Sequence, residues 1–148
     1  PSKRQRILVA YSSNAIHHPP MGDANSSNNC AVWMEIAVAD LDRACQFYSA
    51  VLGCEVQQEQ FEDCRFGVLP HSEGGNGGCL VIQPEQISDK GVLVYLNTDG
   101  RIRDAVAQVA GQGGTVLEDV RSIDPFGFMA TILDSEGNRI ALHSNTDA

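Results

Sequence analysis

The sequence predicts one α+β domain of two βαβββ modules whose mixed sheets curve around a cleft. Three observations predict it. A strand–helix–strand–strand–strand pattern occurs twice, and an offset of about 60 residues superposes the landmarks of its two copies. Apolar residues, 43% of the chain, are spread evenly without a long hydrophobic block. The chain's 148 residues suit one domain with a sizeable core.

Residues 1–29 read as a flexible or weakly ordered extension, rich in Ser, Asn, His and Pro and without periodicity. Only Arg6–Tyr11 has the makings of a short strand there, and Met21 reads as an alternative natural start. A single domain is expected over 30–148, with modules at about 30–88 and 89–148. In the first, Val32–Val38 is a strand, Asp40 a helix N-cap, and Leu41, Ala44, Phe47, Tyr48 and Val51 an apolar helical face stopped by Gly53. Strands follow at Glu55–Phe61, Arg65–Leu69 and Cys79–Gln83, the last after a glycine-rich loop at 72–78. In the second, Val92–Asn97 is a strand and Asp99 the cap. Ile102, Ala105, Val106 and Val109 form the helical face, and strands follow at Thr115–Val120, Phe128–Leu133 and Arg139–His143. Asp40 then corresponds to Asp99, Gly53 to Gly113, Val56 to Val116, and Phe66-Gly67 to Phe126-Gly127.

A formal net charge of −9 repels phosphate backbones and argues against a nucleic-acid partner. No stretch suits a membrane span, and the basic start is followed by too short an apolar run for a signal peptide. A cytoplasmic protein is the expectation. The five cysteines (Cys30, Cys45, Cys54, Cys64, Cys79) are odd in number and lack C-x-x-C spacing, so reduced, mostly buried thiols are expected.

Ala37-Val38-Ala39-Asp40-Leu41-Asp42-Arg43-Ala44, Phe47-Tyr48 and Val51-Leu52-Gly53 resemble the first-module signature of the vicinal oxygen chelate superfamily, the glyoxalase/bleomycin-resistance/dioxygenase type. Leu133-Asp134-Ser135-Glu136-Gly137-Asn138-Arg139-Ile140 resembles its closing hairpin. Gly91–Asn97 and Pro125–Phe128 look like the glyoxalase-related group within it. The resemblance covers roughly Ala31 to Ser144. Similar enzymes include glyoxalase I, extradiol dioxygenases, fosfomycin-modifying transferases and methylmalonyl-CoA epimerase. They hold a divalent metal through His and Glu and use it to polarise vicinal oxygens. Bleomycin-binding relatives use the cleft without a metal. The resemblance also implies a homodimer, because many relatives complete their clefts across two chains.

The family's ligand positions fall on Trp33, Val92, Ala141 and a fourth near Leu80 or Val81. None of these binds a metal, so no metal cofactor is expected. By strand alternation Glu35 shares the face of Trp33, and His143 that of Ala141. The two could serve as an acid/base pair or a two-ligand cation site; they could equally be an edge residue and a residue of a fraying strand. Trp33, Phe126 and Phe128 suit an aromatic lining for a flat ligand, or plain core packing, and Cys79 and Val92 would line the same pocket. His71 is a candidate for the cleft mouth or an ordinary loop histidine. Three functions stand: a metal-free small-molecule binder that sequesters an antibiotic or metabolite; a lyase, isomerase or dioxygenase using Glu35 and His143; or a protein that uses the fold only to dimerise.

Overall fold

The computed structural model describes residues 30–72 and 75–148. The expected extension and its short strand lie outside the described residues. The first module runs β1 (Trp33–Val38), α1 (Leu41–Leu52), β2 (Gln57–Phe61), β3 (Cys64–Leu69) and β4 (Gly77–Ile82). The second, after a 3₁₀ turn at Pro84–Gln86, runs β5 (Val94–Asn97), α2 (Ile102–Gly111), β6 (Thr115–Ser122), β7 (Phe128–Leu133) and β8 (Arg139–Ser144). Each module is one four-stranded sheet, ordered β1-β4-β3-β2 and β5-β8-β7-β6. Only the first and last strands of a module pair in parallel, with the helix between them as the crossover that such pairing requires. The α+β class and the duplicated βαβββ plan are as the sequence predicts.

Helix α1 follows its sequence signals closely. Asp40 caps it, accepting from the Arg43 amide at 3.0 Å, and Gly53 ends it in the left-handed region at φ 69°. Its buried stripe is Leu41, Ala44, Cys45, Phe47, Tyr48 and Val51. Each large apolar side chain buried this way contributes roughly 1.5–3 kcal/mol. Helix α2 departs from the sequence reading. Its N-cap position is Arg101, without a side-chain cap, while the Asp99 carboxylate accepts from the Asn145 amide at 2.7 Å and the Ser144 hydroxyl at 3.2 Å. Asp99 thus ties down the C-terminal segment. Arg101 reaches instead to the Val51 and Ala50 carbonyls at the C-terminus of α1, where a cation complements the helix dipole.

Other boundaries shift for reasons of pairing. Strand β5 starts at Val94, not Val92, because its first ladder partner in β8 is Ile140. Strand β4 starts two residues earlier than expected, since Gly77 and Gly78 pair with Trp33 and Met34. Strand β6 is longer than β2 and carries two register shifts. These displace the repeat, so Phe66-Gly67 lies inside β3 while Phe126-Gly127 precedes β7.

Met34, Ile36, Val38, Leu80, Leu96, Ile132, Ile140 and Leu142 join both helices in one core shared by the two modules. The turn between β7 and β8 locks that junction. Asp134 accepts from the buried Tyr48 hydroxyl at 2.6 Å, and Asn138 Nδ2 donates to the Ala37 carbonyl. Glu136 accepts from the Ala39 and Asp40 amides and from Arg43 Nε at 2.7 Å. No described helix is long and apolar enough to cross a membrane.

Candidate functional site on the outer sheet faces

Strand alternation leaves each sheet a face on the far side from the shared core. On the first sheet this outer face carries Trp33 and Glu35 from β1, Cys79 and Val81 from β4, and Cys64, Phe66 and Val68 from β3. Cys64, Phe66, Val68, Cys79 and Val81 form a second apolar cluster, with Trp33 and Phe61 packed against it. Trp33 stands opposite Gly77 in the ladder. A Cβ on Gly77 would come within 2.7 Å of the indole and 2.6 Å of the His71 ring. The absent side chain is what lets the two rings meet edge-on, with centroids 6.1 Å apart. His71 therefore belongs to the Trp33 end of this face.

The second outer face is more polar. His143, between Asn97 and Met129 in the ladder, binds the Phe126 carbonyl through Nε2 at 2.7 Å. A carbonyl only accepts, so Nε2 is the donor in this hydrogen bond. Thr131 donates to Glu118 at 3.2 Å, and Arg121 Nε lies 3.7 Å from the same carboxylate. The Tyr95 hydroxyl lies 3.8 Å from Met129 Sδ. The sequence reading missed Tyr95, Glu118 and Arg121. Tyr95 was legible, since alternation puts it opposite Ala141; the irregular register of β6 hid the other two.

Superposing the six-residue strands β4 and β8 sets Cys79 with Ala141 and Val81 with His143. The parallel ladders then set Glu35 with Tyr95, and Trp33 with Leu93. Two of the expected ligand positions differ in their surroundings. Of the two residues expected near the fourth position, Leu80 is fully buried in the shared core, while Val81 lies on the outer face beside Cys79. Val92 is 88% exposed and lies outside β5, and Leu93 follows it on the approach to that strand. A one-residue slip moves a side chain to the opposite face, which is why these corrections matter. Phe128 pairs with Ser144 and packs against the shared core, away from the other candidate lining residues. Phe126 is 72% exposed in the turn before β7. Glu35 and His143 stand on different sheets, and no described contact joins them.

The metal implied by the family does not fit these positions. Trp33, Leu93 and Ala141 offer no ligand atom of use. The Cys79 thiol is fully buried, and desolvation, against a hydrogen bond with Trp33 and with the charge of Glu35 adding to it, pushes its pKa up to about 12. A metal needs the thiolate. Among the described residues no three His, Cys, Asp or Glu side chains group to hold an ion.

Residues 33–143 match the family model of a glyoxalase-like domain. Among solved structures the chain is similar to hypothetical protein SA1046 from S. aureus, with 18% identity, a TM-score of 0.61, and coverage of 76% of this chain and 92% of that one. It is similar to a glyoxalase/bleomycin resistance protein from Albidiferax ferrireducens, with 19% identity, a TM-score of 0.58, and coverage of 76% and 97%. It also matches a glyoxalase I mutant from Zea mays at 18% identity and a TM-score of 0.60, over 77% of this chain and 45% of that one. No curated protein sequence matches the chain.

Proposed function

The chain belongs to the glyoxalase-like domain family of the vicinal oxygen chelate superfamily, and on that premise we propose that it binds a small, partly aromatic molecule without a resident metal. The observation that carries this reading is the set of side chains at and beside the expected ligand positions: Trp33, Val81, Cys79 and Ala141 lie on outer sheet faces and none is a ready metal ligand. An indole edge beside an apolar cluster offers a flat ligand a stacking surface and dispersion contacts. An antibiotic or metabolite of that shape is the expected class, and sequestration rather than turnover the expected outcome.

Trp33 is the only tryptophan in the chain, so its fluorescence reports this face directly. Titrating planar aromatic compounds in the presence of a chelator should quench or shift Trp33 emission saturably, and Phe66→Ala should weaken the response at least tenfold. A response that appears only when a divalent metal is added, or none across a diverse aromatic set, overturns the reading.

One observation favours an enzymatic alternative: His143 donates through Nε2 to the Phe126 carbonyl, so Nδ1 is the ring nitrogen that would exchange a proton with a substrate. Glu35 would be the second group, brought to it by a partner chain. Under that reading His143→Ala and Glu35→Gln each abolish turnover while leaving binding near Trp33 intact.

A further inference from the structure

The first module leaves a groove on its helical side, away from the outer sheet faces. Helix α1 packs chiefly on β4 and β3, so the edge strand β2 lies beyond its cover. A helix about 10 Å wide spans roughly two strands spaced at about 4.8 Å. In the second module α2 packs directly on the corresponding edge strand, β6. The groove beside α1 holds about 830 Å³, within the roughly 300–1,000 Å³ of small-molecule sites.

Its floor is apolar and its rim acidic. Cys45 and Val56 are buried and line it together with Ala50. Burial, and then the charge of Asp42, pushes the Cys45 thiol up to about 11, so it stays neutral. Ser49 Oγ accepts from the Val56 amide at 2.9 Å and holds the approach to β2 beside the helix. At one end Gln58 Nε2 donates to Asp42 Oδ1 at 2.7 Å, and Arg65 donates to the same oxygen at 3.2 Å. Arg65 also donates to the Gln58 carbonyl at 2.6 Å, so this end is organised before any ligand arrives. Both bonds to Asp42 fall on Oδ1, and Oδ2 accepts from no described residue. At the other end Glu55 lines the groove and enters no ion pair among the described residues. Glu55 precedes Gln58 by three residues of near-extended chain, which sets the two carboxylates roughly 10 Å apart. Gln46 and Gln112 stand along the groove as neutral hydrogen-bonding groups.

We propose that this groove binds a linear organic cation of the polyamine class, with one ammonium on Glu55, another on Asp42 Oδ2, and the methylene chain over Cys45, Ala50 and Val56. Each ammonium carries three donors, and the carbonyls of Gln46 and Gln112 accept those that the carboxylates leave. A flat neutral molecule would desolvate the two carboxylates without returning a donor to either. The site is therefore separate from the outer faces and takes a different class of ligand.

Spermidine is the probe, titrated into the full chain at about 0.15 M salt, where exposed charges more than about 8 Å apart are screened. Proton–nitrogen correlation spectra should show saturable shifts of the Gln46, Gln58 and Gln112 side-chain amides. Glu55→Gln should weaken the affinity about fivefold. Glu85→Gln, on the 3₁₀ turn and outside the groove, should leave it unchanged. Butylamine, with a single ammonium, should bind about tenfold more weakly than spermidine. Shifts spread over acidic residues elsewhere on the surface, an affinity unmoved by Glu55→Gln, or butylamine binding as tightly as spermidine would each overturn the proposal. None of these readouts involves Trp33 emission, so they stand apart from the titration that tests aromatic binding.

Discussion

Glu136 shows how one side chain joins two modules. Its side chain is 0% accessible. Desolvation alone would raise its pKa, but hydrogen bonds from Arg43, Asp40 and Ala39, together with the charge of Arg43, outweigh burial and hold the value at about 2. Because the folded-state value lies below the ordinary carboxyl value of 4.5, the stabilisation is fully present above about pH 4.5. It is lost as pH falls towards 2. Urea midpoints measured from pH 7 to pH 2 should therefore fall across that window. Glu136→Gln should cost about 2 kcal/mol at pH 7 and flatten the profile; an unchanged profile would remove the clamp from the account. Its neighbour Tyr48 holds its proton well above the usual range, chiefly through burial and then through Asp134 beside it. The cysteines show the same control by environment. Cys45, Cys64 and Cys79 are buried while Cys30 and Cys54 are exposed, and burial pushes the Cys45 thiol up to about 11.

At the scale of elements, local signals and pairing had different reach. Asp40 and Gly53 mark the ends of α1 because a cap and a left-handed stop act within a few residues. The apolar stripe from Leu41 to Val51 was legible for the same reason. Asp99 looked like an equal cap, but donors from residues 144 and 145 claimed its carboxylate, and nothing within four residues announces them. Ladder partners likewise decided that β5 excludes Val92 and β4 includes Gly77. His143 belongs to this scale, since its ring links β8 to the turn before β7. In His143→Ala the Phe126 carbonyl loses its donor. Amide exchange should then quicken in residues 123–128 while global stability drops by only about 1 kcal/mol. Exchange as slow as in the parent would show that the turn holds itself. Of the candidate site, the sharing of one face by Trp33 and Glu35, and of another by Ala141 and His143, was legible from alternation alone. Phe128 was not, because its face depends on the register of β7 against β8.

At the scale of the whole molecule, the two modules share one core through their helices and keep one outer face each, the first apolar and the second polar. The homodimer that the family resemblance leads one to expect would bring the outer face of one copy towards that of another. Light scattering of the 15.9 kDa chain should then give a mass near twice that value, shifting towards a single chain at low concentration. A single-chain mass at all concentrations would leave each face to serve alone.

The sequence by itself determined the duplicated α+β plan, the limits of the first helix and which residue types stand where metal ligands were expected. Each of these is carried by periodicity, local caps or residue type, which need no knowledge of distant partners. Only the tertiary structure decided the register that sets Cys79 opposite Glu35, the hydrogen bond of His143 to the Phe126 carbonyl and the clamp of Glu136 on α1. Those depend on hydrogen bonds between residues far apart in the chain. A shift of one residue in a ladder turns a side chain from the core to the outer face, so composition and spacing do not contain the answer.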